Sequence, residues 1–171
     1  VLVSKAVGRQ PGRAQLHVST RTPTVSTLSA EWAGEVAQTP GFANVAWDTQ
    51  MDAEVTTLDE LIAQFGLPVF CKIDVEGSEP DALFGLNQPI AALSLEYIPA
   101  ALDRTMICLE HLKHLGDYRY NLVEGERPHF SLEGWVGKET VAARLQSLTQ
   151  TARAGELFAI TIASNPSLHS G

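Results

Sequence analysis

The stretch "FCKIDVEGSEP", Phe70 to Pro80, sets Lys72, Asp74 and Glu76 at every second position of an otherwise apolar run. Side chains alternate along a strand, so these three charges share one face while Cys71, Ile73 and Val75 share the other. The pattern predicts a strand over Val69–Val75. It turns at Gly77 into a helix with Pro80 in the first turn and Ala82, Leu83 and Leu86 facing inward. Charge taken out of water must be paired or used. The charged face is therefore either an ion pair, Lys72 with Asp74 while Glu76 caps the next helix, or a site at the carboxyl end of a strand. Glu79, near the positive end of the helix, reads as electrostatic support.

Working outward, "TTLDELIAQFGLP" has Thr57 and Glu60 at capping-box spacing, Leu58, Leu61, Ile62 and Phe65 on one face, and a stop at Gly66 and Pro68. "IAALSLEYIP" is nearly continuous apolar from Ile90 to Ile98, as in a strand covered on both sides, and carries Ser94 and Glu96 on one face. A helix follows over Met106–Leu115, built on Cys108, Leu112 and Leu115 and closed by Gly116. A strand starts at Tyr118, a last helix is marked by Val141, Leu145 and Leu148, and a final strand runs from Glu156. On the other side, Val1–Val7 reads as a strand, "GRQPG" as a turn, "AQLHVST" as a half-exposed strand and Thr20–Ser29 as a loop. Ser29 caps a short helix ended by "TPG" at Thr39–Gly41. Strands and helices alternate from residue 55 onward. That pattern predicts one α/β domain over residues 1–163 with a mainly parallel sheet between helices, and a loose tail at 164–171.

Composition narrows the function. Twelve Lys and Arg against twenty Asp and Glu give a net charge of -8, with no basic tract to follow a phosphate backbone, so nucleic acid is not an expected partner. The apolar runs fall well short of the roughly twenty residues that span a bilayer, and a soluble, cytoplasmic chain is expected. Cys71 and Cys108 form no C-x-x-C pair and are expected to be reduced and buried.

Asp74 and Glu76 end one strand and Glu96 ends the next. Consecutive strands are commonly neighbours, so the three carboxylates are expected to converge on one cleft, where they could take a proton, bind hydroxyls or hold a metal. His111 and His114 are three apart on a helix beside Glu110, the simpler reading being a solvent-facing strip. His17, His129 and His169 have no partner pattern. Trp32, Trp47 and Trp135 read as packing. No G-x-S-x-G occurs, and no two glycines are spaced G-x-G, so this chain lacks the loop that usually cradles a nucleotide-like cofactor.

The words "AVG" with a following "PG" turn, "TLDELI", "FCKIDVEGSEPDALFGL" and "LSLEY" together resemble the FkbM-type methyltransferase family, whose hallmark is close to "KIDVEGxE". The likeness covers most of residues 1 to 122. It implies a Rossmann-like class I methyltransferase sheet, mostly parallel with an antiparallel last pair. Val1–Val7 would be the third strand, Val69–Val75 the fourth and Ile90–Ile98 the fifth. The family's first two strands, with their glycine-rich loop and ribose-binding acid, have no counterpart in these residues, which look like the later part of such a domain.

The resemblance further implies a bacterial, cytoplasmic enzyme that moves a methyl group from S-adenosylmethionine to a hydroxyl oxygen of a small molecule, with no resident metal. Ala6, Val7 and Asp74 would bind the cofactor, and Glu76, Glu96 and Tyr97 would line the acceptor pocket; the charged strand face makes Asp74 and Glu76 the candidate catalytic residues, one of them the base that takes the acceptor's proton. The connections Thr20–Ser29 and Arg127–Gly137 would select the acceptor. Two alternatives stand beside it: a divalent-metal enzyme using Asp74, Glu76 and Glu96, with Mg the expected ion, and a non-catalytic remnant that cannot hold the cofactor. An exposed sheet edge would favour a homo-oligomer.

Overall fold

The computed structural model describes residues 1–39, 41–125 and 127–162 and has two sheets where the sequence pattern predicts one. The smaller sheet holds β1 (Ala6–Val7), β2 (Gly12–Val18) and β3 (Thr49–Thr56) in the order β1-β3-β2. Only two residues of the expected Val1–Val7 strand are extended in register, pairing parallel as Ala6 with Val55 and Val7 with Thr56. Val1 and Leu2 are exposed and find no ladder partner among the described residues. β3 pairs antiparallel with β2 from Gly12 opposite Val55 to Val18 opposite Thr49.

The larger sheet holds β4 (Phe70–Ile73), β5 (Ala92–Tyr97), β6 (Tyr118–Glu124) and β7 (Gly155–Thr161) in the order β4-β5-β7-β6. β4 and β5 are parallel, while β7 lies antiparallel between β5 and β6. The last two strands thus form the expected antiparallel pair. The fold is mixed α/β rather than mainly parallel, because β7 brings an antiparallel ladder to both of its neighbours.

Helices follow their local signals. α1 (Ala30–Val36) starts at Ser29, whose hydroxyl accepts from the Trp32 N–H at 3.1 Å. α2 (Leu58–Phe65) starts at Thr57, whose hydroxyl accepts from the Glu60 N–H at 3.1 Å. The Glu60 carboxylate does not complete the capping box, accepting instead from the Thr56 hydroxyl at 2.7 Å. α3 (Glu79–Phe84), α4 (Leu102–Leu115) and α5 (Lys138–Gln146) bury Leu83, Leu109, Leu112, Val141 and Leu145 against Leu93, Leu95, Leu122 and Leu157 of the larger sheet. Fully burying one such side chain contributes roughly 1.5–3 kcal/mol before entropy is counted. Tyr118 fixes the entry to β5, its hydroxyl accepting from the Ile90 N–H at 3.0 Å and donating to the Ile90 carbonyl at 2.9 Å.

A second apolar cluster forms around Trp32, Ala33, Val36 and Ala101, with Phe42, Trp47 and Ile98 against it. Trp32 and Trp47 are packing residues, as their isolation in the sequence suggests. Trp135 meets Phe130 edge-on at 5.3 Å between centroids. The expected tail at 164–171, with His169, lies outside the described residues.

Candidate active site

β4 ends at Ile73, two residues before the alternating pattern suggests. Glu76 has φ 51° and Gly77 φ 86°, so the chain turns sharply where a strand was expected. A non-glycine residue in the left-handed region is uncommon and has to be held there by its surroundings. Thr27 does so from one side, its hydroxyl donating to the Glu76 carbonyl at 2.5 Å. Arg104 does so from another, donating to the Gly77 carbonyl at 3.0 Å while paired with Glu31 and Glu35 of α1. Glu79 braces the turn from within, accepting from the N–H groups of Val75 and Gly77 at 3.2 Å each. Burial pushes the Glu79 carboxyl up, and those backbone donors pull it back. Glu79 is thus the local support its position suggests, and Glu76 is released from the capping role.

The turn sends Asp74 and Glu76 toward Glu96 on β5, and one carboxylate oxygen from each lies within 4.8 Å of the other two. Lys72 pairs with Asp74 at 2.9 Å and reaches Glu156 at 3.6 Å. Both members of the first pair are about half exposed, so it adds little stability. The Lys72–Asp74 ion pair and the convergence of the three acids coexist, while the capping expected of Glu76 is done by Glu79. Burial, then repulsion from Glu96, Asp74 and Glu79, pushes the Glu76 carboxyl up to about 8. Burial, then repulsion from Asp74 and Glu79, pushes Glu96 up to about 7. Lys72 pulls both back only in part. One carboxylate oxygen of Glu76 is buried with no hydrogen-bond partner among the described residues.

Two hollows adjoin these carboxylates. One, of about 390 Å³, lies between the sheets and has Ala6, Val7, Leu16, Ala53, Asp74 and Val75 in its lining, with Ser4, Lys5, Ser26, Leu28 and Ser78. The other, of about 310 Å³, is lined by Lys72, Glu96, Val123, Gly125, Arg153 and Glu156. Asp74 faces the first, Glu96 the second. A further hollow of about 460 Å³ shares Gly125 and Arg153 with the second and continues past Tyr97, Glu124 and Arg127.

The structure therefore brings Ala6, Val7 and Asp74 together in one cavity and Asp74, Glu76 and Glu96 together in one cluster. Tyr97, adjacent to Glu96 along β5, points to the opposite face and borders the third hollow, its hydroxyl 3.4 Å from the Val123 carbonyl. Sequence reading passed over Glu156 and Arg153. Glu156 sits opposite Glu96 in the β5–β7 ladder and accepts from the Ser94 hydroxyl at 2.5 Å. Both arrive through the insertion of β7, for which the sequence carries no local signal. Burial raises both cysteine thiols, so neither is a thiolate nucleophile. His111 Nε2 donates to the Leu86 carbonyl at 3.2 Å and His114 Nδ1 to the Glu110 carbonyl at 2.7 Å, so the two rings serve local contacts. No helix among the described residues is long and apolar enough to cross a membrane.

Comparison with curated proteins and with solved structures finds no match. Comparison with protein families finds one that covers residues 2–122, described as the methyltransferase FkbM domain. That span includes Ala6, Val7, Asp74, Glu76, Glu96 and Tyr97, and the chain belongs to the FkbM methyltransferase family.

Proposed function

We propose that the protein is an S-adenosylmethionine-dependent O-methyltransferase acting on a hydroxyl group of a small molecule. The observation that carries this reading is the cluster of Asp74, Glu76 and Glu96, of which Asp74 lines one cavity and Glu96 a second. Methyl transfer joins two ligands at one point, and most of its acceleration comes from holding them in line.

The residues of the first cavity suit the cofactor. Ala6, Val7, Leu16 and Ala53 offer an apolar bed, Asp74 a carboxylate, and the volume lies within the range of small-molecule sites. S-adenosylmethionine supplies a methyl group activated on a sulfonium. Ala6 and Val7 would bind it on one side and Asp74 on the other.

On the acceptor side Glu96 orients the hydroxyl and takes its proton. Asp74 is engaged by Lys72, and Glu76 keeps its proton up to about 8. Glu96, centred near 7 and open to the second cavity, has the affinity a general base needs at neutral pH. Glu76 then acts as a neutral neighbour that can donate a hydrogen bond, and Lys72 steadies the charge that remains.

A second reading uses the same cluster to hold a divalent ion, since three carboxylate oxygens within 4.8 Å suit a hard cation such as Mg²⁺. Activity that survives a chelator removes it. For the first reading, calorimetric titration of the intact protein with S-adenosylmethionine should show saturable binding that Ala53→Phe, which fills the first cavity, abolishes. No binding to the unaltered protein overturns it.

A further inference from the structure

We propose that the trough beyond Glu96 ends in an anion site, in which Arg153 and Arg127 hold a carboxylate or phosphate group. Assigning that group to the methyl acceptor rests on the methyltransferase reading; the anion site itself does not.

The chain is acidic, and most of its cations are taken by acids. Lys72 is held by Asp74 and Glu156, and Arg144 by Glu124 at 2.5 Å, so neither offers a free charge to the trough. Arg104, Arg119 and Lys138 are likewise paired, with Glu31 and Glu35, with Asp117 and with Glu110. Arg127 and Arg153 make no ion pair among the described residues, and both line the same hollow of about 460 Å³. Two like charges that share one concave space repel each other until an anion joins them.

Arg153 is also placed. Gly125 has φ 63°, and a Cβ built there would lie 3.6 Å from Cδ of Arg153 and 3.8 Å from its Cβ. The stem of Arg153 therefore rests over Gly125, at the point where the second and third hollows meet. A guanidinium offers paired N–H donors that match two oxygens of a carboxylate or phosphate.

The trough is bipolar. Glu96 and Glu156 line the second hollow, Arg127 lines the third, and Arg153 lines both where they meet at Gly125. A small hydroxy acid or hydroxy phosphate entering it is repelled from the acids and drawn to the arginines, which leaves its hydroxyl end toward Glu96. Tyr97 lines the third hollow with the two arginines.

The test follows the arginine Nε–H signals of the intact protein by NMR, titrating inorganic phosphate in one arm and acetate in another at constant ionic strength held with chloride. The signals of Arg153 and Arg127 should shift saturably, while those of Arg13 and Arg21, exposed and without ion pairs among the described residues, should not. Arg153→Gln should weaken the stronger-binding anion by about tenfold or more, the loss of a charged hydrogen-bond pair. Saturation with phosphate alone assigns a phosphate, and with acetate a carboxylate. Uniform, non-saturating shifts of all four arginines, or unchanged affinity in Arg153→Gln, overturn the proposal. Saturable anion binding without S-adenosylmethionine binding keeps the anion site and removes the methyltransferase reading. The reverse pattern removes the anion site alone.

Discussion

The indole of Trp32 fills the space that Gly77 leaves: a Cβ on residue 77 would lie 2.1 Å from Cγ of Trp32. Trp32 belongs to the smaller apolar cluster and Gly77 to the turn that aims Glu76, so the packing of α1 and the geometry of the carboxylates are one structural problem. Gly77→Ala meets both the ring and a positive φ. It should destabilise the protein by roughly 2–5 kcal/mol, the sum of an αL penalty and overpacking. Urea unfolding measures this, and Trp32→Leu in the same chain should restore part of the loss. An unchanged midpoint in Gly77→Ala would show that the turn is not locked by the ring.

Stability should fall as pH rises through neutrality. Glu76 and Glu96 have folded-state values of about 8 and about 7, above the ordinary carboxyl value of 4.5. A raised carboxyl binds more protons in the folded than in the unfolded chain, so its contribution is fully present below the ordinary value and is lost as pH passes the raised ones. The melting temperature should be higher near pH 5.5 than near pH 8.5, and Glu76→Gln should flatten the difference by ~2–4 °C, the shift that about 1 kcal/mol produces in a chain of this size. A melting temperature that climbs with pH contradicts this assignment.

Lys72 is the cation that moderates the cluster. Lys72→Met should move the titrations of Glu76 and Glu96 to higher pH, since both lose an attractive partner for their charged forms. Carboxyl-carbon NMR titration reads the shift directly. A move to lower pH would mean that Lys72 does not act on these groups.

Much of this arrangement is legible in the residues. The caps at Ser29 and Thr57, the buried strand around Leu93 and Leu95 and the convergence of Asp74, Glu76 and Glu96 follow from spacing and from the habit of consecutive strands to neighbour each other. β3 leaves little trace in the sequence pattern. Met51, Ala53 and Val55 do alternate with Gln50, Asp52 and Glu54, but that strand is mostly exposed and its inner residues are small, so its apolar signal is weak. The pattern through Glu76 reads as strand because side-chain alternation cannot report a backbone that switches to positive φ. Glu156 and Arg153 reach the site because β7 inserts between β5 and β6, a long-range pairing with no local mark.

In the proposed mechanism Glu96 takes the acceptor's proton. Its most direct test is the pH dependence of methyl transfer by the intact protein, with S-adenosylmethionine bound and the best acceptor from a panel of small hydroxy acids and neutral alcohols. The rate should rise with pH and reach half its maximum at about 7, as Glu96 ionises. Glu96→Gln should lower kcat by about 10²- to 10⁴-fold and erase that rise while cofactor affinity stays unchanged. Full turnover with the same pH profile in Glu96→Gln would contradict the account.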